Sequence, residues 1–194
     1  MRKAALGVVP AVLFVLLPPQ DPVAHAQMLQ QAQQLARTYE PHQRLQQLAG
    51  AWDVAVRTTV PGQPEVAGRG SLAGKSMLGG RYVVLNFQLD VQGAPLEAVQ
   101  ILGFDNLRQS YTSSWRDDLS TWSVECAGGA EPKEPTKLRL AGQLADAHDP
   151  AGRPFRLELD LPALDQPKGA VQVRLYDTIG GREVLVQRQD WTRR

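Results

Sequence analysis

Residues able to do chemistry are sparse in this chain. Histidine occurs at positions 25, 42 and 148, and the one cysteine is Cys126. Ser113 and Ser114 are candidate nucleophiles, but no histidine stands in a pattern that would supply their base. Asp117-Asp118 offers paired carboxylates, yet its place between two alternating runs reads better as a turn than as an acid pair. Asp146-Ala147-His148-Asp149 has the composition of a weak metal site and also reads better as a solvated turn. Gly74-Lys75-Ser76 matches only the tail of a phosphate-binding loop and falls inside a strand pattern. Cys126 follows Trp122 and Val124 at strand spacing, which suits a small buried hydrophobe better than a reactive thiol. These patterns predict no catalytic residue, no metal and no cofactor.

What remains is apolar faces carrying a few polar groups, the composition of a small-ligand pocket. Val83, Leu85, Phe87 and Leu89 alternate with polar neighbours, as do Leu157, Leu159 and Leu161, and then Val171, Val173 and Leu175. Arg81 lies two residues before Val83. Gln100 shares a face with Leu96, Ala98 and Leu102, Tyr111 and Trp115 with Asp117, and Trp122 with Val124 and Cys126. The candidate ligand-binding residues are therefore Arg81, Phe87, Gln100, Tyr111, Trp115 and Trp122. An inward Arg81 needs a partner, either Asp117, Asp177 or the acid group of a ligand. If it merely follows the Gly79-Gly80 turn, it points to solvent. The predicted ligand is small and either hydrophobic or acidic.

The elements that must position these residues follow from one stretch, Leu48 to Val56. Leu45, Leu48 and Ala49 can share one face of a short helix, and Gly50 can end it. The period then changes to two, with Trp52, Val54 and Val56 on one side of a strand. Ahead of it, Met28 to Tyr39 and His42 to Leu48 read as two helices forming a lid or plug across one barrel end, or a flexible tail before Pro41. Behind it come about ten strands with local turns, spanning 51–59, 66–78, 81–90, 95–104, 110–116, 121–127, 136–144, 155–161, 171–176 and 183–192. Gly128-Gly129 is expected to turn the sixth. A meander of that length closes on itself to remove its edges. The predicted fold is all-β: a closed antiparallel up-and-down barrel of about eight to ten strands with an N-terminal helix.

Length and charge set the remaining bounds. The chain has 194 residues and a net charge of +1, so no basic field recommends nucleic acid. One cysteine forbids an internal disulfide. Arg2 and Lys3, the apolar run Ala4 to Leu17, and Ala24-His25-Ala26 are the parts of a secretory signal peptide. The run falls short of the ~20 residues of a membrane span, so no stable span is expected once the signal is removed. The expected domains are a signal peptide over 1–26, a helical lead-in over 27–49 and a barrel over 50–194. The expected location is the periplasm or beyond, after cleavage near Ala26.

Gly50-Ala51-Trp52 resembles the G-x-W of lipocalin-like (calycin) barrels. With His42, Leu45 and Leu48 before it, then Leu78-Gly79-Gly80-Arg81, Leu102-Gly103-Phe104-Asp105-Asn106 and Tyr111-x-x-x-Trp115-x-Asp117, the ordered set resembles a bacterial family of lipocalin-like domains of unknown function. The resemblance runs from about Pro41 to Arg193. It implies the barrel and carries no activity. It also implies a late basic residue packed across the strand-one Trp, for which Arg188 and Arg193 are the candidates. No strand carries a histidine, so a haem barrel of the nitrobindin sort would lack its axial ligand. Three readings remain: a barrel that binds a small apolar ligand, a filled barrel that binds a protein partner, and an enzyme using the cavity as a hydrolase or isomerase.

Overall fold

The computed structural model describes residues 22–91, 93–147, 149–165 and 169–194. They divide into two units between Arg37 and Thr38. The first holds one helix, α1 (Pro22–Leu35), rich in the Gln, Ala and Leu that favour helix. It starts earlier and ends earlier than the 28–39 expected. The leader through Asp21, on which most of the export reading rests, lies outside the described residues, as does His148.

The second unit is a short helix followed by a closed barrel. The helix is α2 (Glu40–Gln46). The strands are β1 (Gly50–Thr58), β2 (Val66–Met77), β3 (Tyr82–Val91), β4 (Ala94–Asp105), β5 (Ser110–Asp117), β6 (Val124–Glu131), β7 (Glu134–Leu144), β8 (Arg153–Asp160), β9 (Val171–Ile179) and β10 (Arg182–Arg193). Each strand pairs antiparallel with its neighbours in sequence, and β10 closes on β1 with Trp52 opposite Arg193. Closure leaves no open edge, as the meander predicts.

The period-two patterns set the faces. Trp52, Val54 and Val56 of β1 are buried, as are Val83, Leu85, Phe87 and Leu89 of β3 and Phe155, Leu157 and Leu159 of β8. The outer wall is polar. Glu158 is nevertheless buried on it, because Arg139, Arg156 and Arg174 close over its carboxylate. A charge so enclosed is tolerable only when paired in this way.

Gly128-Gly129 does not turn the chain. β6 runs through both glycines, and the turn falls at Pro132-Lys133. A Cβ at Gly128 would lie 2.0 Å from the Arg139 carbonyl oxygen. The glycine therefore serves a close approach of two backbones in the barrel wall.

α2 plugs one end of the barrel. Leu45 and Leu48 are fully buried there, and the Trp52 Nε1–H donates to the Leu48 carbonyl at 3.0 Å. Arg193 covers the Trp52 ring from outside, its guanidinium carbon 4.4 Å from the ring centre. It donates to the carbonyls of Gln47 at 2.6 Å and Ala49 at 3.2 Å, which ties the last strand to the helix end. Gly50 makes room for it: its φ is +125°, and a Cβ there would lie 2.8 Å from the Arg193 guanidinium. Arg193 is thus the basic residue across the tryptophan, while Arg188 pairs outside with Asp190.

Candidate functional site

Aromatic rings floor the half of the barrel away from α2. Phe87 lies 5.2 Å from Trp115 and 5.7 Å from Trp191, and Trp191 lies 6.4 Å from Trp52, all ring centre to centre. Beyond Trp115 and Trp191 is a cavity of about 260 Å³. Its walls include Leu96 near the start of β4, Val124 at the start of β6, Leu144 at the end of β7 and Phe155 near the start of β8. All four lie toward the end away from α2. Leu119, 76% exposed in the β5–β6 loop, also lines the cavity, so the space meets solvent there. The volume falls just under the ~300–1,000 Å³ of most small-molecule pockets and suits one compact ligand.

The walls are mostly apolar, with polar side chains at fixed points. On β4 and β5, Gln100 Nε2 donates to Ser113 Oγ at 2.9 Å, and both residues are buried. On β10, Trp191 Nε1 donates to Gln189 Oε1 at 2.9 Å, and Gln189 Nε2 donates to Gln187 Oε1 at 2.8 Å. These three share a face by strand spacing, in the register set by a bulge between Leu185 and Gln187. Asp117 sits at the mouth and accepts from Trp115 Nε1 at 2.8 Å and from the Leu119 amide at 3.2 Å.

Chemistry in the cavity is limited by its charges. Asp117 is the one carboxylate among the described lining residues. Cys126 lines the wall as well, but burial pushes its thiol up to about 12, so it stays protonated and unreactive. Among the described residues, no group of three or more His, Cys, Asp and Glu is placed to hold a metal ion. The arrangement can hold and orient a molecule, and the described lining residues include no nucleophile beside a base.

Gln100 and Trp115 are brought together in this cavity, with Phe87 packed behind Trp115. The other three candidates are elsewhere. Arg81 is exposed beside the turn between β2 and β3, at the plugged end, where it donates to the Leu78 carbonyl at 2.8 Å. The partners considered for it are taken, Asp117 by Trp115 and Asp177 by Arg153. Gly79, with φ of +67°, turns the chain so that Arg81 does not continue the face of Val83. Tyr111 is buried near α2 with its ring 4.9 Å from Phe104, and burial raises its phenol above the ordinary range. Trp122 is exposed, because β6 begins at Val124 and leaves it in the loop.

Gln187, Gln189 and Trp191 carry no signal singled out from sequence, and Ser113, weighed there only as a nucleophile, instead lines the cavity beside Gln100. Gln187, Gln189 and Trp191 do repeat at period two, and that spacing was the available signal. Two glutamines at inward positions do not look like a core face until the register across the bulge is known.

The sequence model of the family described as "Protein of unknown function (DUF1579)" matches residues 37–166. No curated protein matches the chain. Among solved structures, the crystal structure of Rv2717c from M. tuberculosis is similar, with a TM-score of 0.61 and 12% identity. The match covers 81% of this chain and 99% of that one, and at such identity it shows the fold alone.

Proposed function

We propose a ligand-binding role, proceeding from one fact: the chain belongs to the DUF1579 family, whose function is unknown. In this reading the barrel holds one small, mostly apolar molecule in the cavity beside Trp115 and Trp191. The observation that carries it is the cavity of about 260 Å³, apolar in most of its lining and reaching solvent beside Leu119. An apolar pocket with a few convergent polar groups favours binding. The protonated Cys126 and the single carboxylate Asp117 weigh against catalysis there. The test is titration with the neutral dye 1-aminoanthracene, read by quenching of tryptophan fluorescence. Saturable one-to-one binding is expected, and Val124→Trp, which fills the cavity, should abolish it with the fold intact. Absence of saturable binding by the wild-type protein would defeat the reading.

We infer further that the protein is exported. Arg2, Lys3, the apolar run Ala4 to Leu17 and Ala24-His25-Ala26 support this. Intact-mass measurement of protein recovered from outside the cytoplasm should give a chain beginning at Gln27. A recovered chain that retains Met1 to Ala26 would contradict it.

A further inference from the structure

We propose that the cavity selects an uncharged, flat molecule with a hydrogen-bond donor at one end and an acceptor at the other. The proposal rests on the ligand-binding reading above and narrows it to a chemical class.

Charge decides first. Among the described lining residues none is cationic, and the one charge is the Asp117 carboxylate. Its Oδ2 already accepts from Trp115 and its Oδ1 from the Leu119 amide. A carboxylate or phosphate drawn inside would lose water with no counter-ion, next to a like charge. That penalty opposes the entry of either anion. A cation would find Asp117 only at the mouth and the apolar wall within.

Shape comes from the aromatic side chains. Trp115 and Trp191 both line the cavity, and each packs against Phe87 from behind. Rings held this way present fixed surfaces, which favour a planar body over a flexible chain.

The two ends follow from topology. β5 and β10 are the fifth strand from each other in either direction round the closed barrel. Gln100 and Ser113, on β4 and β5, therefore face Gln187 and Gln189, on β10, across the cavity. At the first pole Gln100 spends an N–H on Ser113, and its Oε1 has no partner among the described residues. That amide is 5% exposed, so its free oxygen is one a ligand can satisfy. At the second pole Gln187 Oε1 is used by Gln189, and Gln187 Nε2 has no partner among the described residues. One wall offers an acceptor and the opposite wall donors. The complementary ligand is a neutral aromatic or heteroaromatic molecule with an O–H or N–H toward Gln100 and a carbonyl toward Gln187.

Three ligands of one shape test this by tryptophan quenching: 6-hydroxy-2-naphthamide, naphthalene-2-carboxamide and 6-hydroxy-2-naphthoate. The hydroxy-amide should bind roughly tenfold or more tighter than the carboxylate. Gln100→Leu should weaken the hydroxy-amide roughly tenfold and close the gap between it and naphthalene-2-carboxamide, because the hydroxyl that separates the two ligands then has no acceptor at position 100. If Gln100→Leu does not fold, Gln187→Leu at the half-exposed pole replaces it and should weaken both amides alike. Carboxylate binding as tight as that of the amides, or affinity indifferent to both glutamines, overturns the ligand class while leaving the cavity a binding site. Failure of all three ligands and of 1-aminoanthracene overturns the binding reading itself.

Discussion

Trp52 and Arg193 show how far single residues determine this structure. Trp52 is fully buried, its N–H is satisfied by Leu48, and its ring meets Trp191 inside and Arg193 outside. Trp52→Ala should destabilise the protein by roughly 3–5 kcal/mol in denaturant titration. A loss below about 1 kcal/mol, the scale of a surface substitution, would place the ring outside the core. Arg193→Met keeps an apolar stem but loses the guanidinium bonds to Gln47 and Ala49, and should cost about 2 kcal/mol. Burial at this scale was legible: Trp52, Phe87 and Gln100 stand on inward parity in the sequence and are buried in the barrel. Arg81 stood open between an inward place and a solvent-facing one after the glycine turn, and the second holds. Parity carries a residue's direction only within a strand, and Arg81 precedes β3 by one residue across a turn with positive φ at Leu78, Gly79 and Gly80. Trp122 misled for the same reason, at the other end of the barrel.

At the scale of elements, α2 carries the buried histidine through which falling pH is expected to act on the fold. His42 is buried, its Nδ1 accepts from the Tyr39 amide at 3.0 Å, and its ring stands edge-on to Phe104 at 5.6 Å. Burial, with Arg81 nearby, holds its pKa below the ordinary 6.5. The unfolded chain therefore binds the proton more readily than the folded one. The stability from neutral His42 is intact above about pH 6.5 and declines as pH falls toward the lowered value. His42→Gln keeps an acceptor at the third helical position, where glutamine completes a capping box, and removes the titration. Thermal melts of the variant should be flatter than wild type between about pH 6.5 and 5, given an ordinary imidazole reference near 6.5. Equal pH dependence in both proteins would remove His42 from the account. The sequence placed α2 and nearly all strand limits, because Pro41, the glycine pairs and the alternating runs are local signals. It misplaced the β6 turn, because a glycine needed for backbone contact across the wall has the same sequence appearance as one needed for a hairpin.

At the scale of the molecule, closure was predictable from the count of about ten strands in one meander, since so long and twisted a sheet removes its edges by closing. The cavity was not predictable. Whether a barrel interior is open or filled depends on side chains from strands far apart in sequence, and here Leu96 and Leu119 meet Leu175 and Gln189 around one space. The same topology sets Gln100 and Gln187 against each other, although 87 positions separate them, from 100 to 187. In the proposed role this space holds a small neutral ligand. A crystal structure of the protein soaked with naphthalene-2-carboxamide tests it most directly. The ring is expected beside Trp115 and Trp191, with the carboxamide oxygen at Gln187. A complex with the amide on the outer wall, or a cavity closed by rearranged side chains and holding nothing, would contradict it.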